Sequence, residues 1–341
     1  MNAAKSSIDL SRFSRIRFAH TPTPLERMDR LRDALGADCP SLYVKRDDCT
    51  GLATGGNKTR KLEFLLGDAL AQGAQAVITF GAIQSNHARQ TAAAAARLGL
   101  LCDLILIDMV ERDDEAYRST GNVLLDQLLG ARLHGVTQKH AAAKMQDLID
   151  EHARAGRKAY VVPIGGSNAL GSLGYVEAFA EMQTQAASRD VRIDAIIHAS
   201  SSCGTQAGLI AAAALSNSST RIMGVNVYKK SGADIAAASH ALALETMALC
   251  GAPVQDMTDR IHVIDGYLGE AYGQPTDAMR EAVLMVAQTE GLLLDPVYSG
   301  KAMAALIGHV RKGKVSSDQT IVFLHTGGST ALFAYPSSLL S

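Results

Sequence analysis

Short runs of valine, isoleucine and leucine alternate along the chain with longer stretches in which apolar residues return every three or four positions. The runs at 41–46, 76–80, 102–107, 159–163, 195–199, 222–227, 262–265 and 320–325 predict strands. Most are apolar at successive positions, the mark of parallel strands buried on both faces. Helical spacing predicts helices over 85–98, 124–129, 168–182, 204–214, 277–289 and 300–310. The recurrence of Leu62, Phe64, Leu65, Leu66, Ala69 and Leu70 predicts one more. Strand and helix in regular alternation predict a doubly wound α/β protein. In such folds ligands bind beyond the carboxyl ends of the strands, so the residues after each strand are where chemistry is sought.

The 341 residues suffice for two domains or one large α/β unit. Pro163-Ile164-Gly165-Gly166-Ser167-Asn168 reads as a crossing between domains. The expectation is a small domain over 57–164 and a large one formed by 1–56 and 165–341. Hydrophobic residues make up 47%, enough for a substantial core. A formal net charge of −1 argues against a nucleic-acid surface or an anionic membrane as partner. No apolar run is long enough to span a bilayer, and the start of the chain lacks the apolar centre of a signal peptide. The five cysteines (Cys39, Cys49, Cys102, Cys203, Cys250) form no C-x-x-C pair, so packed thiols and a cytoplasmic setting are expected. The ten histidines show no metal-ligand spacing, and no metal is expected.

Five strand exits carry candidate chemistry. The first, Gly55 to Lys61, reads G-G-N-K-T-R-K and leads into a helix. It places Lys58 at the helix mouth behind two glycines, with Asn57 as the expected cap. The positive end of the helix dipole opposes the charge of Lys58, and Arg60 and Lys61 add to that field. A neutral lysine amine is a nucleophile that forms an imine with an aldehyde, as a pyridoxal-phosphate enzyme requires. Alone, the stretch also fits an ordinary loop-to-helix junction with a solvated lysine. The second exit, Gly81 to Arg89, contains Ser85 as a helix N-cap, then Asn86 and His87, which offer amide and imidazole groups to the same crevice. The third, Ser200 to Gly208, is a serine- and glycine-bearing loop opening an apolar helix, an anion site suited to a phosphate. It has neither the G-K-[ST] ending nor the G-x-G-x-x-G pattern, so a nucleoside triphosphate or a dinucleotide is disfavoured. Within it Cys203 is expected to pack. The fourth is Leu294 to Lys301 and the fifth His325 to Ser329.

Taken together, these motifs resemble the pyridoxal-phosphate enzymes of the tryptophan synthase β-like fold, fold type II. Within that group the chain resembles the family of D-cysteine desulfhydrase, 1-aminocyclopropane-1-carboxylate deaminase and L-cysteate sulfo-lyase. The carriers, spread from about Pro22 to Tyr335, are T-P-L-E at 23–26, K-R-D-D at 45–48, G-G-N-K-T-R-K-L-E-F at 55–64, Q-S-N-H-A-R at 84–89, G-T-Q-A-G at 204–208, D-P-V-Y-S-G-K at 295–301 and H-T-G-G at 325–328. The resemblance implies two open, twisted, mostly parallel sheets flanked by helices, pyridoxal 5'-phosphate as cofactor, a small amino acid as substrate and a homodimer. It implies that Lys58 holds the cofactor and moves the α-proton. Lys61 would lie near the phosphate, and Cys203, Gly204, Thr205, Gln206, Ala207 and Gly208 would cradle it. Asn86 would bond the ring oxygen, while Ser85, Asn86, His87, Tyr272 and Tyr298 would meet the substrate. Ser299 or Thr326 would approach the pyridine nitrogen.

The ring-opening deaminases of the family carry a glutamate where this chain has Ser299. A carboxylate there keeps the pyridine nitrogen protonated and deepens the electron sink. A hydroxyl faces a neutral nitrogen, and the weaker sink suits prompt loss of a group from Cβ. The expected reaction is therefore α,β-elimination, with D-cysteine giving pyruvate, ammonia and hydrogen sulfide as the first choice. L-Cysteate giving sulfite is the alternative; its sulfonate would draw on an added cation such as Lys229 or Lys230, or on neutral donors. Aminocyclopropane carboxylate deamination, or a binding protein without catalysis, ranks below these.

Overall fold

The computed structural model describes residues 8–253 and 257–339. The first seven residues, part of the stretch read as lacking a signal-peptide core, lie outside the described residues. The strands are β1 (Leu25–Arg27), β2 (Ser41–Lys45), β3 (Ala76–Ala82), β4 (Leu101–Ile107), β5 (Arg132–Val136), β6 (Ala159–Val161), β7 (Ala195–Ser200), β8 (Arg221–Asn226), β9 (Ile261–Ile264) and β10 (Thr320–Leu324). The helices are α1 (Asp29–Leu35), α2 (Lys58–Ala71), α3 (Asn86–Leu98), α4 (Glu115–Ser119), α5 (Gly121–Leu128), α6 (Ala141–Arg154), α7 (Ala169–Ala187), α8 (Gly204–Leu215), α9 (Gly232–Leu249), α10 (Asp277–Glu290) and α11 (Ser299–Arg311).

Two sheets result. One runs β1-β2-β10-β7-β8-β9 and the other β5-β4-β3-β6. Every pairing is parallel except that of β1 with β2. The successive apolar residues of each strand divide between two helical layers, as the period of 2 requires. In the larger sheet Leu42, Val44, Ile197, Ile321 and Phe323 pack against α1, α10 and α11. Their neighbours Tyr43, Ile196, Val322 and Leu324 pack against α7, α8 and α9. In the smaller sheet Val77, Leu104 and Leu106 face α2 and α3, while Ile78, Ile105 and Ile107 face α6.

All eight predicted strands are present within a residue or two at most ends. Two edge strands, β1 and β5, escape the pattern: β1 has three residues, and β5 reads R-L-H-G-V, with polar side chains and a glycine. Helices α1, α4, α6 and α9 were likewise not among the predicted ranges. No helix of the described residues is long and apolar enough to cross a membrane. All five cysteines are free.

Candidate active site

The carboxyl ends of β2, β3, β7 and β10 converge on a cavity of about 330 Å3. The loop from β2 enters it through a strained path. Ala53, Thr54, Gly55 and Gly56 all have positive φ, at 43°, 70°, 75° and 130°. A β-carbon on Gly55 would overlap the carbonyl oxygen of Asp48, so only glycine fits there. The path is held by Asp47, whose carbonyl accepts from the Gly56 N–H at 3.0 Å, and by Thr50 Oγ1, which accepts from the same N–H at 2.8 Å. We predict that Gly55→Ala lowers stability by more than about 1 kcal/mol, because both the backbone angle and the overlap oppose it. Urea unfolding measures this; an unchanged midpoint refutes it.

Lys58 lies at the end of that loop, half-buried, and lines the cavity. Burial lowers its pKa from 10.5 to about 8; the charge of Arg89 lowers it further and Asp295 opposes the shift. The neighbours credited from sequence are not the cause. Arg60 is turned away, bonded to Asp47 at 2.8 Å and to Glu181. Lys61 is itself pushed well below its usual pKa, by burial and then by Lys58. The expected cap is also absent: Asn57 has helical backbone angles and its side chain bonds no helix N–H. Instead Asn57 Oδ1 accepts from Lys58 Nζ at 2.8 Å, and Nδ2 donates to Thr205 Oγ1 at 3.0 Å. Asn57 thus aims the amine and ties it to the third exit loop. Below pH 8 the free amine falls about tenfold per unit. Capture of pyridoxal phosphate by the apoprotein should therefore be about tenfold slower at pH 7 than its plateau above pH 9, as followed by visible absorbance. A rate independent of pH from 6 to 9 contradicts this.

The third exit loop turns through Cys203 at φ 66° into α8. Ser200, Ser201, Ser202, Cys203, Thr205 and Gln206 line the cavity. The N–H groups of Thr205 and Gln206 have no acceptor among the described residues, which leaves them for an anion at the helix N-terminus. Lys61 backs this turn without lining the cavity, donating to Gly165 O and Ser167 Oγ at 3.2 Å each. Gly204 is beside it: a β-carbon there would come within 3.0 Å of Lys61 Nζ. Ala207 and Gly208 do not reach the cavity. The Ala207 N–H bonds Cys203 O at 2.8 Å, and Gly208 lets α7 approach so closely that a β-carbon would overlap Ser172 O. Those two serve helix packing, which corrects the expectation that they cradle a phosphate.

The second exit loop brings Ser85, Asn86 and His87 to the cavity wall. Ser85 caps α3, accepting from the Ala88 N–H at 3.1 Å. Asn86 Oδ1 accepts from Arg89 Nη1 at 3.2 Å and Asn122 Nδ2 at 3.0 Å, which fixes its amide with Nδ2 as a free donor. His87 Nε2 is 2.8 Å from Thr79 Oγ1, and that hydroxyl gives its proton to Val162 O. Nε2 therefore carries the ring hydrogen and Nδ1 keeps a lone pair without a partner. Burial, then Lys58 and Lys61, hold His87 neutral.

Tyr272 and Tyr298 line the opposite side with their hydroxyls hydrogen-bonded together. Burial raises both phenol pKa values, so both remain protonated. Thr326 lines the cavity, and its hydroxyl has no partner among the described residues. Ser299 does not line the cavity. Its hydroxyl donates to Asp295 Oδ1 at 2.6 Å and accepts from the Asp295 N–H at 2.8 Å, so no proton is left for a ring nitrogen. Of the two candidates for that contact, the geometry leaves Thr326. Lys229 reaches the cavity and Lys230 does not.

Two participants had no role expected from sequence, and a third, Asn57, had a different one. Arg89 is fully buried and joins the exits: Nη1 reaches Asn86, Asn122 and Thr330, and Nη2 donates to Gly55 O at 2.8 Å. Asp295 accepts from the N–H groups of Val297, Tyr298 and Ser299 at 2.7–2.9 Å and so sets Tyr298. For Arg89 and Asp295 the missing signal was buried charge.

Comparison with known proteins agrees with this construction. The family model described as pyridoxal-phosphate dependent enzyme matches residues 16–327. A D-cysteine desulfhydrase of Salmonella typhimurium is 43% identical over 329 residues, covering 96% of this chain and 97% of the relative. One of Serratia proteamaculans is 42% identical over 327 residues, with the same coverage. The crystal structure of an ACC deaminase homologue superposes with a TM-score of 0.87 at 37% identity, covering 100% of this chain and 99% of that one. An amine whose pKa burial lowers, an unfilled anion turn and a match along nearly the whole length leave one assignment: the chain belongs to the pyridoxal-phosphate dependent enzyme family.

Proposed function

We propose that the protein is a D-cysteine desulfhydrase, cleaving D-cysteine to pyruvate, ammonia and hydrogen sulfide. The observation that carries this is similarity over 96% of the chain to two D-cysteine desulfhydrases. The residues fit pyridoxal phosphate: the turn at Thr205 and Gln206 offers free N–H groups, Asn86 Nδ2 is an unfilled donor, and Lys58 presents an amine of lowered pKa. When bound, that group supplies the aldehyde and the electron sink.

The chain supplies the rest. Lys58 would hold the cofactor, and its amine takes the proton from the substrate α-carbon. The hydroxyl of Ser85 and the N–H groups at the head of α3 receive the substrate carboxylate. The Tyr272–Tyr298 pair lends a proton to the departing sulfur, and loss of that group from Cβ leaves the α,β-double bond. Hydrolysis of the resulting enamine gives pyruvate and ammonia. The neutral His87 ring accepts, so it orients a donor without adding charge.

Lys229 at the cavity wall is the observation that keeps L-cysteate as the second reading, since it offers a cation to a sulfonate. Assay of D-cysteine, L-cysteine, L-cysteate, β-chloroalanine and aminocyclopropane carboxylate, with pyruvate, sulfide and sulfite measured separately, tests the proposal. D-Cysteine should give equimolar pyruvate and sulfide, and aminocyclopropane carboxylate should be at least about 100-fold slower. Equal rates on these two, or sulfite from L-cysteate as the fastest reaction, overturns it. We also read the protein as a cytoplasmic homodimer with residues 57–164 as a small domain; sedimentation and limited proteolysis test the last two.

A further inference from the structure

A second cavity, of about 200 Å3, opens at the amino ends of β8 and β9, the opposite edge of the sheet from Lys58. Arg221 begins β8, Arg260 precedes β9 and His262 is the second residue of β9; all three line it. Arg221 Nη2 is buried and has no hydrogen-bond partner among the described residues. Arg260 spends one donor on Ser218 O at 2.9 Å. The facing acid, Asp259, is exposed at the surface. Thr220 also lines the cavity, but its hydroxyl already donates to Ile193 O. The wall beneath is apolar, from Ile210, Ala213 and Ile222. A buried guanidinium donor without an acceptor is rare in native proteins and points to a missing partner. Two guanidinium forks beside an apolar wall match the oxygens of a small oxyanion.

We propose that this cavity is a second anion site, in which Arg221 and Arg260 hold a small tetrahedral oxyanion such as inorganic sulfate or phosphate. The site is joined to the cofactor turn. The main-chain oxygen of His262 accepts from Gln206 Nε2 at 3.1 Å, and Gln206 Oε1 accepts from Ser200 Oγ at 2.6 Å. An anion that fixes β9 therefore steadies the turn through Gln206. Burial and the charge of Arg221 depress the pKa of His262, and a bound anion would offset the second of these.

The test uses the pyridoxal-phosphate-loaded enzyme, whose phosphate turn is filled, titrated calorimetrically with sulfate and separately with phosphate at constant ionic strength. One site per chain is expected, with affinity at least tenfold weaker in Arg221→Gln and in Arg260→Gln, and partly kept in Arg221→Lys. The visible spectrum of the cofactor should stay unchanged. In the wild type, sulfate should raise the pKa of His262 read by NMR, and it should not do so in Arg221→Gln. Circular dichroism and melting without sulfate show whether each variant is folded. No heat and no His262 shift in the wild type overturns the proposal, as does undiminished affinity in a folded Arg221→Gln. Neither outcome depends on which amino acid the enzyme cleaves.

Discussion

Lys58→Ala should lower turnover of the natural substrate by about 10⁴-fold or more, since one side chain serves as both anchor and proton carrier. No neighbour can replace it. Lys61 is more deeply buried and faces Gly165 and Ser167 behind the anion turn, and Arg89 is held by Asn86, Asn122, Thr330 and Gly55. The loss should be chemical and not structural. The amine is held partly neutral and makes one hydrogen bond, to Asn57, so removing it leaves no charge stranded. Borohydride followed by peptide mapping should fix the cofactor on Lys58 in the wild type and nowhere in the variant. A Lys58→Ala protein that keeps full turnover ends the proposed mechanism.

Arg60→Met should destabilise the protein by about 3–5 kcal/mol, because it leaves the buried Asp47 carboxylate without the cation bonded to it, while Glu181 keeps Lys45. Arg60 is fully buried and bonds Asp47 through Nε and Nη2 at 2.8 and 2.9 Å; it also bonds Glu181. Asp47 is equally buried and takes further hydrogen bonds from Thr23 at 2.8 Å and Tyr175 at 2.6 Å. Burial pushes the Asp47 carboxyl upward, but the charge and hydrogen bonds of Arg60 outweigh it and hold its pKa below the usual value. That contribution is present at neutral pH and is lost as the solution is acidified. Urea unfolding should show the deficit at pH 7 and a smaller gap between wild type and variant in acid. The double variant Arg60→Met/Asp47→Leu should recover part of the loss, as removal of both charges does. Additive losses in the double variant would show that the two side chains do not act as a pair.

The parallel strands were legible because their burial on both faces leaves no polar position to interrupt the run; Ile196 and Ile197 serve opposite layers yet read alike in sequence. The edge strand β5 was not, since Arg132 and His134 turn to Asp103 at the sheet margin and break the apolar run. The site was legible as a set of strand exits, and Lys58, Ser85, Asn86, His87, Tyr272, Tyr298 and Thr326 do meet at one cavity. Their division of labour was not. Neighbours in sequence suggested Arg60 as the group acting on Lys58, whereas the group in space is Arg89, 31 residues away along the chain. Ser299 and Thr326 were equal candidates in sequence, and only the capture of the Ser299 hydroxyl by Asp295 separates them. Gly208 read as part of the anion turn because a glycine permits close approach to a phosphate or to a helix, and sequence does not say which.

The final strand of the chain, β10, is inserted between β2 and β7. Until it emerges from the ribosome, the segment that delivers Lys58 and the one that delivers the anion turn have no shared sheet to align them. The smaller sheet, by contrast, draws all its strands from residues 76–161 and can assemble while synthesis continues. Alignment of the Lys58 loop with the anion turn therefore waits on β10.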